Sequence, residues 1–199
     1  MTPKPPDAVS RLRHAFPRRL ASRVDAILAG LSLDSLQTSP DDIGPVRFGG
    51  DHLNIPFRVY CSAPHAERTK GVADPQSIIL ACIYSRHHDG FVRERYLLDL
   101  LASREAWIPP FVLQLVGEYV LEIVQLIAER VDALRNESYA QFASENSAFL
   151  ALIRQRVVSY WNCYYRSQFP RLTAYPAFTL LDALGLWGDH GALNGRGHR

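Results

Sequence analysis

Three groups of side chains in this 199-residue chain have the types and spacing that chemistry needs. His87, His88 and Asp89 set two imidazoles beside a carboxylate, and imidazole, with an ordinary pKa of about 6.5, serves both proton transfer and metal ligation. Successive helical residues point about 100° apart, so an ion bound here needs a distant partner such as His65, Glu118 or Glu122. The competing assignment is structural: His88 faces the negative end of a helix dipole and Asp89 enters the following turn. Glu118 and Glu122 stand four apart in the most apolar stretch of the chain. On one helix they share a face and suit metal ligation or acid–base work, as in four-helix carboxylate proteins. The Glu-x-x-His pattern of such proteins is missing. A buried carboxylate is costly unless paired, which favours structural ion pairs of Glu118 and Glu122 with Arg86, Arg93, Arg156 or Arg166. The third group is Tyr160-Trp161-Asn162-Cys163-Tyr164-Tyr165-Arg166. Interleaved with Arg154, Arg156 and Arg166, its rings can stack bases and its arginines hold phosphates. The same rings can fill a core, with hydroxyls bonded to Glu118 or Glu122. The run covers too broad an arc of its helix to be wholly buried, so part of it is expected at the surface.

Periodicity and punctuation define the elements that must hold these groups. Pro17 can open a helix reaching Ala29, stopped by Gly30. Leu20, Val24, Ile27, Leu28 and Leu31 form its apolar stripe, with the arginines opposite. Leu33 to Gly44 reads as a polar loop. From Val46 the period becomes two: Val46 and Phe48, a Gly49-Gly50-Asp51 turn, then Leu53, Ile55, Phe57 and Val59. That is a β-hairpin, edge-bound or interrupted at Pro56. Ala63 to Ala73 is a polar loop. Asp74 can cap a helix that starts at Pro75 and carries Ile78, Ile79, Cys82 and Ile83 on one face. It ends near His88, where Asp89-Gly90 supplies a left-handed turn, and a second helix runs from Phe91 to about Ser103. Pro110 starts a third, apolar around most of its circumference and extending to about Leu134, the expected centre of the fold. Asn146 or Ser147 caps a fourth, which carries the aromatic cluster to about Gln168, and residues 175–186 form a last helix. The chain thus divides into an N-terminal basic amphipathic helix and linker (1–45), a hairpin plus helical domain (46–187), and a disordered tail (188–199).

Composition limits the classes. Apolar residues make up 47% and charged residues 21%, which excludes a disordered chain. The net charge of +2 is uneven: the first 30 residues hold Lys4, Arg11, Arg13, Arg18, Arg19 and Arg23 against Asp7 and Asp25, a basic head on a body of slightly negative charge. Such a head can touch phosphates or an acidic partner. Cys61, Cys82 and Cys163 are odd in number and lack CxxC spacing, so they read as reduced, buried apolar residues. The opening residues carry no apolar core of a signal peptide, and Phe111 to Ile127 is interrupted by Gln114, Glu118, Glu122 and Gln125, which are costly in lipid. A soluble, cytoplasmic protein without a membrane span is expected. No Gly-x-Ser-x-Gly turn or phosphate-binding glycine loop occurs. No catalytic residue, metal or cofactor is assigned.

Asp89-Gly90-Phe91-Val92-Arg93-Glu94, set between two apolar helices, resembles the intra-repeat turn and second-helix start of HEAT-like repeats. The resemblance spans residues 74–103, and the helices at 110–134 and 147–168 follow it loosely. It implies a mainly α fold, an irregular HEAT-like stack of antiparallel helices with a small N-terminal β-hairpin, whose faces bind another macromolecule. The corresponding expectation is a non-catalytic protein-binding or scaffold module. Its recognition surface comprises His88, Arg93 and Glu94 at the hairpin turn and Tyr164, Tyr165 and Arg166 at the aromatic helix end. The alternatives are a nucleic-acid-binding protein that uses the basic head and the Tyr160–Arg166 patch, and a metal-dependent enzyme at His87, His88, Glu118 and Glu122.

Overall fold

The computed structural model describes residues 7–31, 36–62 and 75–188. The expected Pro-rich start, the loop at 63–73 with His65, the Asp74 cap and the tail beyond Gly188 lie outside the described residues. The protein is mainly helical, with short antiparallel β pairs toward its N-terminus.

Asp7 caps α1 (Ala8–Arg13) by accepting the Ser10 amide at 2.7 Å. A 3-10 turn at Arg18–Leu20 follows Pro17, and α2 (Ala21–Ala29) completes the stretch expected as one helix from Pro17. Phe16 stacks on Phe111 at 5.4 Å and meets Trp107 edge-on at 5.7 Å. Leu12, Phe16, Leu20, Val24 and Leu28 therefore belong to the same buried cluster as Phe111 and Val112. The basic head is also tied down by charge: Arg11 pairs with Asp42, Arg13 with Asp25 and Arg18 with Asp51.

Strand β1 (Gln37–Thr38) pairs with β4 (Val59–Tyr60), and β2 (Val46–Phe48) pairs with β3 (Asp51–Leu53) in register Val46 to Leu53. Gly49 (φ 55°) and Gly50 (φ 84°) make the β2–β3 turn, where two successive positive φ angles match the twist of the strands and exclude most other residues. The expected second strand, Leu53 to Val59, is cut at Pro56, which can donate nothing to a ladder. The chain leaves β3 and pairs again only at Val59, now with β1. Asn146 locks the hairpin to the helices: its side chain accepts from the Arg47 amide (2.7 Å) and donates to the Arg47 (3.0 Å) and Phe142 (2.8 Å) carbonyls.

Helices α3 (Pro75–Tyr84) and α4 (Gly90–Ala102) pack on each other across a five-residue turn. Gly90 is not a left-handed stop, as expected from Asp89-Gly90; it is the first residue of α4, and Asp89 caps that helix by accepting the Phe91 amide at 2.8 Å. The expected long central helix is three: α5 (Pro109–Val116), α6 (Leu121–Ala128) and α7 (Val131–Leu134). The first break falls at Gly117, where an added Cβ would lie 3.1 Å from Ile153. A side chain there would press on Ile153, so glycine suits the close approach of this turn to α9. Asn136 caps α8 (Glu137–Glu145). Helix α9 (Ser147–Tyr160) continues into a π-helical turn at Trp161–Tyr165, and α10 (Pro176–Ala183) starts on proline.

Candidate functional site

Four elements bring an arginine cluster together around Glu118. Arg58 enters just before β4, Arg86 from the α3–α4 turn, Arg93 from the first turns of α4, and Glu118 from the α5–α6 turn. Glu118 Oε1 accepts from Arg58 Nη1 (2.9 Å) and Arg86 Nη2 (3.2 Å). Arg93 Nε lies 3.0 Å from Oε2, off the line of a hydrogen bond, so this contact is an ion pair only. Glu118, Arg86 and Arg93 are each 1% exposed, while the Arg58 side chain is 12% exposed. The remaining donors staple backbone. Arg93 Nη1 donates to the His87 and His88 carbonyls (2.8 and 2.9 Å), Arg86 Nε to Ser85, and Arg58 Nη1 to Phe57. Arg156 extends the cluster: it donates to Gln114 Oε1 at 2.9 Å and lies over the Phe57 ring, whose other neighbour is the Arg58 guanidinium at 4.4 Å.

The electrostatics of this cluster are lopsided. Burial pulls Arg86 down to about 10, opposed by Glu118 and reinforced by Arg58 and Arg93, so the group stays charged at neutral pH. Burial likewise lowers Arg93 and Arg156. Among the described residues, Arg86 Nη1, Arg93 Nη2, Gln114 Nε2 and the acceptor Glu118 Oε2 are buried without a hydrogen bond of good geometry, and the Arg93 guanidinium also faces the Tyr119 hydroxyl. A buried donor left unbonded costs about 1–3 kcal/mol, more when charged.

His87 sits beside the cluster with both ring nitrogens engaged. Nδ1 accepts from the Asp89 amide at 3.0 Å, so Nε2 carries the proton that bonds the Cys61 carbonyl at 3.0 Å. Neither lone pair is left for a metal, and burial lowers the pKa of this imidazole. Among the described residues, no group of three or more His, Cys, Asp or Glu can hold a metal ion. His88 is exposed and stacks on Tyr60 at 5.4 Å.

An aromatic rim runs past this buried core. Phe91 (84% exposed), Tyr119 (52%) and Tyr164 (65%) stand out among the exposed apolar side chains. Tyr119 meets Tyr160 at 6.2 Å, Tyr160 meets Tyr164 at 6.1 Å, and Tyr164 meets Tyr165 at 6.4 Å. Tyr165 stacks on buried Tyr175 at 5.5 Å and its hydroxyl donates to the Tyr119 carbonyl, fixing the rim to the α5–α6 turn. The start of α4 touches that same turn, since a Cβ on Gly90 would lie 3.9 Å from Val120. No residue of the π-helical turn is buried.

Several residues thus differ from expectation. Arg93 is no surface residue; it is drawn inward by Glu118 and by the carbonyls ending the α3–α4 turn. Glu122 is exposed on the first turn of α6 and makes no ion pair among the described residues, because the break at Gly117 takes it off the face that Glu118 uses. Arg156 bonds Gln114 and not a carboxylate, and Arg166 is exposed, bonded to Asn162 and lying over Trp161. Cys163 is exposed, Cys61 is half-buried, and Cys82 alone is buried. Glu94 is half-buried on α4. Arg58, Gln114, Phe91 and Tyr119 were not anticipated. Arg58 carried no signal, since it fills a polar position of the alternating stretch Leu53 to Val59.

Two open grooves of about 450 and 540 Å³ run along α8, lined in part by Asn136, Glu137 and Tyr139, and share no residue with the arginine cluster. No helix among the described residues is long and apolar enough to cross a membrane. Compared with family models, curated proteins and solved structures, the chain matches none.

Proposed function

We propose that this protein is a non-catalytic binding module that docks a protein partner on the aromatic rim formed by Phe91, Tyr119, Tyr160, Tyr164 and Tyr165. The observation that carries this reading is the continuous series of ring contacts from Tyr119 to Tyr165, with Tyr119 and Tyr164 both more than half exposed. Tyrosine supplies large contact area with little side-chain entropy to lose and is enriched where interfaces carry their energy. The rim is also pre-ordered: Tyr165 is held by Tyr175 and the Tyr119 carbonyl, and the α5–α6 turn beneath is held by the Glu118 ion pairs. A rigid surface loses less entropy on binding. In this reading α3 and α4 act as one HEAT-like helix pair that offers its turn to the partner. A nucleic-acid partner is disfavoured, because Arg11, Arg13 and Arg18 of the basic head are already paired with aspartates.

A photo-crosslinking residue placed at Tyr119 or Tyr164 tests the proposal, with exposed Gln141 on α8 as the comparison site. The expected result is a discrete protein adduct at 119 and 164 but not at 141, with the adduct at 119 lost on Tyr164→Ala and the adduct at 164 lost on Tyr119→Ala, in chains that melt like the parent. Adducts of nucleic acid, or equal protein yields at all three sites, would overturn it.

A further inference from the structure

We infer that the Arg58–Arg86–Arg93 cluster is a binding site for a phosphate monoester dianion. Three guanidiniums converge there on Glu118, the one carboxylate among the described residues that contacts them. Among the described residues, no second carboxylate pairs with these three cations, an excess of two positive charges. A phosphate monoester carries about −1.5 to −2 at neutral pH, which matches that excess. Its oxygens suit the planar forks of arginine, which bind phosphate through two nitrogens at once.

The donors for such a group are in place. Arg86 faces Glu118 through Nη2 and Arg93 through Nε, while Arg86 Nη1 and Arg93 Nη2 are buried without a hydrogen bond of good geometry among the described residues. The Arg93 nitrogen lies beside Gly90, 3.6 Å from where a Cβ would stand. The N-terminus of α4 itself is capped by the Asp89 carboxylate, which accepts the Phe91 amide, so the site rests on the guanidiniums and not on the helix dipole. Arg58 provides the route inward. It is the most exposed of the three arginines, and a rotamer change that trades its Glu118 contact for the incoming anion brings that anion to Arg86. The site does not depend on which macromolecule docks on the aromatic rim.

Calorimetric titration of the whole chain with inorganic phosphate and with O-phosphoserine, at ionic strength fixed with chloride, tests the inference. Saturable binding is expected, with O-phosphoserine tightening as its second proton is lost near pH ~6. Whichever probe binds tighter identifies the source as free or esterified phosphate. Arg58→Gln, on the outermost side chain, should weaken binding at least tenfold, and Arg130→Gln, at an exposed arginine outside both the cluster and the aromatic rim, should leave it unchanged. No saturable binding by the parent chain, unchanged binding in Arg58→Gln, or equal loss in Arg130→Gln would overturn the site. Tighter binding of an oligonucleotide lacking terminal phosphates, with loss in Arg58→Gln, would overturn the monoester assignment.

Discussion

Replacing Glu118 by glutamine keeps the side chain's shape and removes only its charge, leaving Arg58, Arg86 and Arg93 facing one another. The three nitrogens lie 2.9, 3.2 and 3.0 Å from the carboxylate. At an effective dielectric constant of about 20, a unit pair at about 4 Å is worth about 4 kcal/mol, so the gross attraction lost exceeds ~10 kcal/mol. Against this stands the relief of taking a carboxylate out of water, several kcal/mol. Removing one member of a buried pair costs about 3–5 kcal/mol, and the upper half of that range is expected here because three guanidiniums lose the same partner. Domains of this kind are stable by roughly 5–15 kcal/mol, and each kcal/mol shifts melting by about 2–4 °C at this size. Glu118→Gln should therefore melt roughly 8–20 °C below the parent. Urea unfolding followed by circular dichroism measures the free energy directly, with the m-value reporting whether the unfolded reference has changed. Glu122→Gln, on an exposed carboxylate, should stay within about 0.5 kcal/mol. Pairing Glu118→Gln with Arg86→Met should cost less than the two singles together, since each removes the reason the other is costly. A Glu118→Gln protein within about 1 kcal/mol of the parent would refute the claim that this carboxylate holds the cluster together.

Three further outcomes follow from other sites. His87 has a folded pKa below its ordinary value because of burial, so the unfolded chain takes the proton first; its contribution is complete above pH ~6.5 and is lost as pH falls from there through the lower folded value. The pH slope of stability in that window should shrink in His87→Asn, and an unchanged slope would show that His87 does not titrate differently on unfolding. Asn146→Ala removes two hydrogen bonds to β2 and one to the end of α8 and strands the Arg47 amide and carbonyl, so a loss of roughly 2–4 kcal/mol is expected in chemical denaturation; a loss under 1 kcal/mol would mean the hairpin is held elsewhere. Brief alkylation of the native chain, read by peptide mass spectrometry, should mark exposed Cys163 and spare Cys82, which is buried and has its thiol pushed well up by desolvation. Equal labelling of the two would contradict the packing of α3.

The elements most legible in the sequence are those that local chemistry punctuates. Pro75 starts a helix as expected, Pro109 with Pro110 opens another within one residue of the expected start, and Gly49-Gly50 takes positive φ angles that few side-chain-bearing residues adopt. Where tertiary packing decides, the pattern misleads. Residues 110–134 are apolar at helical spacing throughout, and Gly117-Glu118 inside them is a weak breaker by propensity alone. At the break Gly117 runs close against Ile153 and Glu118 turns to the three guanidiniums. Neither fact is local.

The same reasoning explains which half of the site could be read. An acid within an apolar run demands a partner, so an ion pair for Glu118 or Glu122 follows from the sequence, and the arginines of the α3–α4 turn and of α4 are natural candidates. The sequence has no means of distinguishing the two glutamates once they are placed on one helix face. The break separates them, burying one and exposing the other. Nor does periodicity indicate that one acid meets three arginines, since Arg58 lies 60 residues away in what reads as a strand. That surplus of cations is the property with functional weight. A single pair would serve stability alone, whereas three guanidiniums on one carboxylate, two of them with spare buried donors, hold charge that the described residues do not answer. Natural cores rarely keep uncompensated charge that only stabilises, because a well-packed apolar replacement is often as stable or more so. That surplus is the structural ground for the anion site inferred above, and Glu118 at its centre directly precedes Tyr119 of the rim.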